Sequence, residues 1–349
     1  MRYEKIAIIG DGAMATVMAM LLCEKSEASG AEFDAIHEPR SERCRITMWG
    51  HDAGQLKETA DAGENKRFLP GYKLPDTLIF EPDERRIMND AELIISAVPC
   101  QFMRSVWSRL KDYVPADVAI VSVTKGIENE TLLRPTQIVG DVLRTKLKTA
   151  ALSGPTIADE LARKLPATAC VACEEEGLAK ELQQTFSCEW LRVYTNRDVA
   201  GVEIAAACKN VVAIAAGIID GIGAGDNAKA ALLSRGLAEI TRLGIACGAR
   251  RETFAGLAGL GDLVTTCISP KGRNRSFGER IGRGQSVDRA RSATQSVVEG
   301  IATCKSVVAL AARHEVEMPI SSAVHEVLFE NKPVKQAIAE LMTRRLKAE

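Results

Sequence analysis

Three groups of residues in this 349-residue chain have types and spacings suited to chemistry. The first is a lysine in apolar company. From 204 to 219 the chain reads IAAACKNVVAIAAGII, and Lys209 is the only charge in those sixteen residues. Apolar residues fall on every side of the helical wheel, so this helix is expected to be buried all round. An ammonium placed there is costly unless it is paired or its proton is labile. Burial also lowers a lysine pKa, which turns the amine into a usable general acid or base near neutral pH. The bland alternatives are a side chain that snorkels to a cleft, or one that pairs with Glu203 or Asp220. Asn210 adds a second polar group to the same helix and favours a site.

The second group is Gly10-Asp11-Gly12-Ala13-Met14-Ala15, which follows a strand-like run and opens a helix-like one. That is the context of the dinucleotide fingerprint G-x-G-x-x-G/A: a tight turn, close backbone approach to a pyrophosphate, and close helix packing. The helix N-terminus then offers free N–H groups to the phosphates. Asp11 must point away from them. An NAD-selective site puts a carboxylate at the end of the second strand, where this chain reads Trp49-Gly50-His51-Asp52. The expected carboxylate is missing or displaced by His51, and a histidine can hydrogen-bond a 2′-phosphate. The reading leans towards NADP, with NAD tolerated.

The third group lies at 269–284, read as a loop, where Lys271, Arg273, Arg275, Arg280 and Arg283 face only Glu279. An excess of positive charge in an otherwise balanced chain suggests an anion, most simply a phosphate held by Arg273. A solvated basic loop is the alternative. Upstream, a glycine turn, Gly259-Leu260-Gly261, leads into Asp262, with Thr266 four residues on and on the same helical face. Asp262 would orient Lys209 or a substrate hydroxyl, or else serve as a helix N-cap. A dinucleotide, a buried lysine and a phosphate-binding arginine together point to hydride transfer to a small phosphorylated carbonyl compound.

These residues need elements to hold them. Strand-like runs at 5–9, 45–49, 91–99, 118–123 and 150–152 alternate with helix-like segments, the pattern of a parallel sheet covered on both faces. From about 196 the texture becomes alanine- and leucine-rich and helical. The expected fold is therefore an α/β Rossmann-like dinucleotide-binding domain over 1–195, followed by an all-α domain over 196–349. A polar surface insertion at 26–43 lengthens the first crossover.

Composition narrows the field. With 46% hydrophobic and 26% charged residues the chain is a globular protein, not a disordered or collagen-like one. Its formal charge of −1 supplies no broad positive field, so no nucleic-acid partner is expected. Ten scattered cysteines in a chain this long read as reduced core thiols, and the lone Cys170-x-x-Cys173 lacks the further ligands a zinc site needs. The segment 199–219 carries Glu203 and Lys209 and is mostly alanine, so it is not expected to span a membrane. A cytoplasmic location follows. A homodimer is the expected assembly, because buried helical second domains often pair.

The ordered set Gly10-x-Gly12, Trp49-Gly50-His51-Asp52, Asn65-x-x-Phe68-Leu69-Pro70, Val98-Pro99, Thr124-Lys125-Gly126-Ile127-Glu128, Ser153-Gly154-Pro155-Thr156, Lys209-Asn210-Val211, Asp220-Gly221-Ile222-Gly223, Gly259-Leu260-Gly261-Asp262-Leu263, Gly272-Arg273-Asn274-Arg275 and Val297-Val298-Glu299-Gly300 resembles the bacterial-type NAD(P)-dependent glycerol-3-phosphate dehydrogenases over nearly the whole length. The resemblance implies reversible reduction of dihydroxyacetone phosphate to sn-glycerol 3-phosphate, a precursor of glycerophospholipids. It implies Lys209 as the catalytic acid/base, and Lys125 as a lysine touching both substrate and cofactor. Gly154, Thr156, Asp262, Gly272, Arg273 and Asn274 would line the substrate pocket, with Thr266 an orienting hydroxyl. His51, Ala158, Arg273, Val297 and Glu299 would border the cofactor beside the glycine turn. The chain departs from the family pattern at Ala15, usually glycine, and at Ala13-Met14, usually a small–aromatic pair; both positions keep their backbone contacts. The competing readings are a 6-phosphogluconate or β-hydroxyacid-type dehydrogenase, and a non-catalytic NAD(P) sensor.

Overall fold

The structure, a computed structural model, describes residues 2–29, 43–144, 148–293 and 297–346. The chain forms two compact units: Met1–Thr124 with Pro135–Val199, and Lys125–Arg134 with Ala200–Glu349. The sequence pattern suggested a single cut near 195. Instead the ten residues after Thr124 belong with the helical unit, tied there by Ile127 and Leu132 in its core and by Ser306, which donates to the Ile127 carbonyl at 2.8 Å.

The first unit is built on eight strands: β1 (Lys5–Ile9), β2 (Arg45–Trp49), β3 (Ile79–Phe80), β4 (Leu93–Ser96), β5 (Ala119–Ser122), β6 (Lys148–Ser153), β7 (Ala167–Ala172) and β8 (Leu191–Asn196). They lie in the order β3-β2-β1-β4-β5-β6-β7-β8, and every pairing is parallel except β6 with β7. β1 and β4 are buried along their whole length, which is why they read as continuous apolar runs rather than alternating ones. Ile9 pairs with both Trp49 and Ser96, and Ser96 with Ser122, so β1, β2, β4 and β5 end at one level. The helices of this unit are α1 (Ala13–Ser29), α2 (Ala53–Ala62), α3 (Glu84–Met88), α4 (Cys100–Leu110), α5 (Pro135–Leu143), α6 (Ala158–Ala162) and α7 (Glu176–Phe186). Of the polar stretch 26–43, the first four residues continue α1, while 30–42 lie outside the described residues.

The second unit is helical: α8 (Val199–Ile222), α9 (Asp226–Ala246), α10 (Arg251–Ala255), α11 (Asp262–Ile268), α12 (Arg273–Gly282), α13 (Val287–Ser292), α14 (Glu299–Arg313), α15 (Pro319–Phe329) and α16 (Val334–Met342). α8 is its axis, buried from Gly201 to Ile218. By length and composition α8 would pass for a membrane span, but 94% of its most apolar window is buried inside the protein. The basic stretch read as a loop is largely the helix α12, because Ser269 to Gly272 form the turn and the remainder has helical periodicity.

Candidate active site

In the second unit, the lysine that interrupts α8 is buried, with 7% of its side chain exposed. Its Nζ donates to Thr266 Oγ1 at 2.5 Å and lies 3.0 Å from Asp262 Oδ1. Thr266 in turn donates to Asp262 Oδ1 at 3.2 Å, as four-residue spacing on α11 allows. The other carboxylate oxygen, Oδ2, accepts from Lys125 Nζ at 2.7 Å. One buried carboxylate therefore serves two ammonium groups. Asp262 is not the N-cap of α11: it is that helix's first residue, and a π-helical turn over Leu257–Gly261 runs straight into it. Glu203 and Asp220 are not partners of Lys209 either, since Glu203 pairs with Arg134, and Asp220 with Lys229 and Arg275.

This arrangement sets the proton affinity of the amine. Burial pushes the Lys209 pKa down from 10.5 to about 8, against the attraction of Asp262 and with help from the Lys125 charge. Two of the amine's three N–H groups are used, and among the described residues none takes the third. A side chain of this kind can give a proton to, or take one from, an oxygen brought to it near neutral pH. The neighbouring Cys267 is held as a thiol by burial, which raises its pKa to about 12.

The basic cluster divides. Arg275 pairs with Asp220 at 2.6 Å and with Glu279 at 3.5 Å, and Arg283 also pairs with Glu279. Arg273, at the start of α12, is exposed and makes no ion pair among the described residues. Asn274 is buried: its Nδ2 donates to Asn210 Oδ1 at 2.9 Å, and its Oδ1 accepts from Gly300 N at 3.0 Å. Asn210, noted in the sequence only for its polarity, thus anchors Asn274 on α12, and Asn274 in turn holds the start of α14, where Glu299 lies and just ahead of which exposed Val297 sits.

In the first unit the glycine turn joins β1 to α1. Gly10 has a φ of 121°, and a Cβ there would lie 2.8 Å from the Ala97 carbonyl oxygen, so only glycine fits. In front of Gly12 the space is open for at least 4 Å. Ala13 opens α1 with no acidic residue in its first turn, Met14 is half-buried, and Ala15 is fully buried against the core. Open space at a glycine ahead of a seventeen-residue helix is what the pyrophosphate of a dinucleotide requires. The turn is braced by Asn65, buried, whose Nδ2 donates to the Asp11 carbonyl and to Thr16 Oγ1, both at 2.8 Å. No periodicity marks Asn65, and only the family pattern drew it in. The Asp11 carboxylate is turned onto Gly50, and burial raises its pKa.

Beyond β2, His51 is exposed, and Asp52 caps α2 through Oδ1, which accepts from Gly54 N at 2.9 Å and Gln55 N at 3.2 Å. Gly154 follows β6 with a φ of 147°, Thr156 donates to its carbonyl at 3.0 Å, and Ala158 begins α6.

The comparisons with known proteins agree from end to end. A family described as "NAD-dependent glycerol-3-phosphate dehydrogenase N-terminus" matches residues 5–179, and one described as its C-terminus matches 198–339. A glycerol-3-phosphate dehydrogenase [NAD(P)+] from Geobacter sp. (strain M21) is 42% identical over 348 residues, 99% of each chain. One from Mycobacterium tuberculosis (strain ATCC 25618 / H37Rv) is 41% identical over 345 residues, covering 99% of this chain and 98% of the relative. The crystal structure of glycerol-3-phosphate dehydrogenase from Coxiella burnetii superposes with a TM-score of 0.90 at 34% identity, over 98% of this chain and 99% of that one. With both halves matched in order and relatives this close over the full length, the chain belongs to the NAD-dependent glycerol-3-phosphate dehydrogenase family.

Proposed function

We propose that this chain catalyses the reversible reduction of dihydroxyacetone phosphate to sn-glycerol 3-phosphate with NADH or NADPH. The observation that carries the reading is the cluster of Lys209, Asp262 and Thr266, a buried amine of labile proton with one N–H to spare, in a chain of this family. When bound, the nicotinamide supplies a hydride to the ketone carbon, or takes one from the alcohol carbon in reverse. Lys209 donates its proton to the ketone oxygen, the product leaves as the alcohol, and the neutral amine recovers a proton from water. In the reverse direction the neutral amine takes the hydroxyl proton. Asp262 orients the amine and Thr266 fixes its direction. Lys125, on the other carboxylate oxygen, lowers the proton affinity of Lys209 by its charge and offers the substrate a second ammonium.

Arg273 is the phosphate handle, assisted by backbone N–H groups at Gly272 and Asn274, since the Asn274 side chain is spent on Asn210 and Gly300. Gly154 and Thr156 contribute to substrate binding. Gly10, Gly12, Ala13, Met14 and Ala15 hold the dinucleotide through backbone, with His51, Ala158, Val297 and Glu299 around its remaining groups. Residues 1–195 serve as the cofactor domain and 196–349 as the substrate domain, with Lys125 the exception noted above.

The deciding assay follows nicotinamide absorbance with dihydroxyacetone phosphate and each reduced cofactor. Rapid oxidation is expected. Preferential turnover of 3-phosphogluconate-like acids would favour the β-hydroxyacid reading, and cofactor binding without any turnover would favour a sensor. In the cell the product would feed glycerophospholipid synthesis from the cytoplasm, and the enzyme would act as a homodimer; light scattering at twice the chain mass of 37.6 kDa tests the latter.

A further inference from the structure

The end of β2 is where a Rossmann fold reads the adenosine ribose: a carboxylate there takes the 2′-hydroxyl of NAD, while an arginine nearby accommodates the 2′-phosphate of NADP. The nearest carboxylates here are committed elsewhere. Asp52 caps α2, Asp11 is turned onto Gly50, and Glu84, at the start of α3, pairs with Arg109. Arg109, near the end of α4, lies over the Trp49 ring with its guanidinium 5.5 Å from the centroid, and its Nη1 is 2.8 Å from His51 Nδ1. A guanidinium can only donate, so Nδ1 accepts and the imidazole proton sits on Nε2, on the far edge of the ring. A permanent cation and an outward N–H donor thus stand together two residues past the end of the strand, and 41% of the Arg109 side chain is exposed.

We infer that Arg109, together with His51, recognises the 2′-phosphate of NADP and gives this chain its preference for NADP over NAD. The inference rests on the reading that the first unit holds a dinucleotide. It goes further in naming a residue on α4, outside the glycine turn and the strand end, as the one that selects between the two cofactors. Glu84 is part of the device. Its carboxylate pairs with the guanidinium and limits the positive charge presented to a phosphate.

The test is calorimetric binding of 2′,5′-ADP and of 5′-AMP to the full chain and to its Arg109→Gln and Glu84→Gln variants, with thermal midpoints as a control for folding. The unaltered chain is expected to bind 2′,5′-ADP the more tightly. In Arg109→Gln the ratio of the two dissociation constants should fall by about tenfold or more, the worth of one or two hydrogen bonds to a charged group. Glu84→Gln, which frees the guanidinium, should raise that ratio. If 5′-AMP binds as well as 2′,5′-ADP, the Asp11 carboxylate dominates the strand end and the inference is overturned. It is equally overturned if Arg109→Gln weakens both nucleotides alike, or if Glu84→Gln lowers the ratio. These measurements involve no substrate. Failure to turn over dihydroxyacetone phosphate would therefore count against the proposed reaction and leave the cofactor inference standing on its own result.

Discussion

The two units place their chemistry in different atoms. In the first, the proposed cofactor site is largely backbone: a glycine turn, open space at Gly12 and the N-terminal end of α1, with Asn65 bracing the turn from behind. In the second it is side chain: a carboxylate with 3% of its side chain exposed, shared by two amines and a hydroxyl. A large polyanion can be held by many fixed N–H dipoles, none of which changes state. A proton that must move needs a titratable group whose affinity is set by its surroundings, and only side chains titrate. The consequence is a different tolerance to change. The first site is broken by adding an atom to the main chain, the second by altering a charge.

The sharpest way to break this contrast is Lys209→Ala. Loss of a general acid should lower kcat by about 10²–10⁴-fold while the dissociation constant for NADPH stays nearly unchanged; near-normal turnover would remove the lysine from the mechanism. Next in size, Arg273→Ala should raise KM for dihydroxyacetone phosphate about 10- to 100-fold, as expected for charge-assisted phosphate contacts. Steady-state kinetics with an unchanged KM and kcat would refute the phosphate role. Gly10→Ala should do the reverse of Lys209→Ala. Its forced φ and its clash with the Ala97 carbonyl cost about 1–3 kcal/mol, seen as a lower Tm and weaker NADPH binding. A variant with wild-type Tm and affinity would show that the turn is not the cradle.

The smallest effect is a displacement in pH. Because Lys209 titrates at about 8, kcat/KM for ketone reduction should fall as pH rises through that value, and that for alcohol oxidation should rise and then level off. Lys125→Met removes a neighbouring positive charge, so the inflection should move upward, by up to about one unit. A profile flat between pH 7 and 9 would contradict the assignment. The same shift acts on stability. Between about 8 and 10.5 the unfolded chain holds this proton more tightly than the native one, so the penalty is full below about 8 and is relieved as pH rises towards 10.5.

Much of this was legible in the residues themselves. A single charge in sixteen mostly apolar residues marks Lys209, and a strand–glycine–helix succession marks the proposed cofactor turn, because both violate or satisfy a local rule. Other features depend on partners distant in the chain. Four arginines and a lysine at 269–284 look alike in sequence, yet Arg275 and Arg283 are spent on Asp220 and Glu279 while Arg273 makes no ion pair among the described residues. Sequence shows a carboxylate displaced by His51 at the strand end, but not that Asp52 is committed to capping α2. β7 and β8 are hard to separate from their surroundings in sequence, since the apolar run of β7 has no period that distinguishes strand from helix and the alternation of β8 covers only its first four residues. Arg109 gave no sequence signal, because its meaning lies in His51, fifty-eight residues away.

The chain passes between its two compact bodies three times, after Thr124, after Arg134 and after Val199. Neither body is therefore a contiguous cassette. Expressing 196–349 alone would discard Lys125 and the core residues Ile127 and Leu132, leaving Asp262 with one amine and the helical core with a hole. Recombination at a single crossover would carry Lys125, a piece of the proposed acid–base apparatus, with the wrong body, so transplants from distant relatives need two junctions more than a linear map suggests.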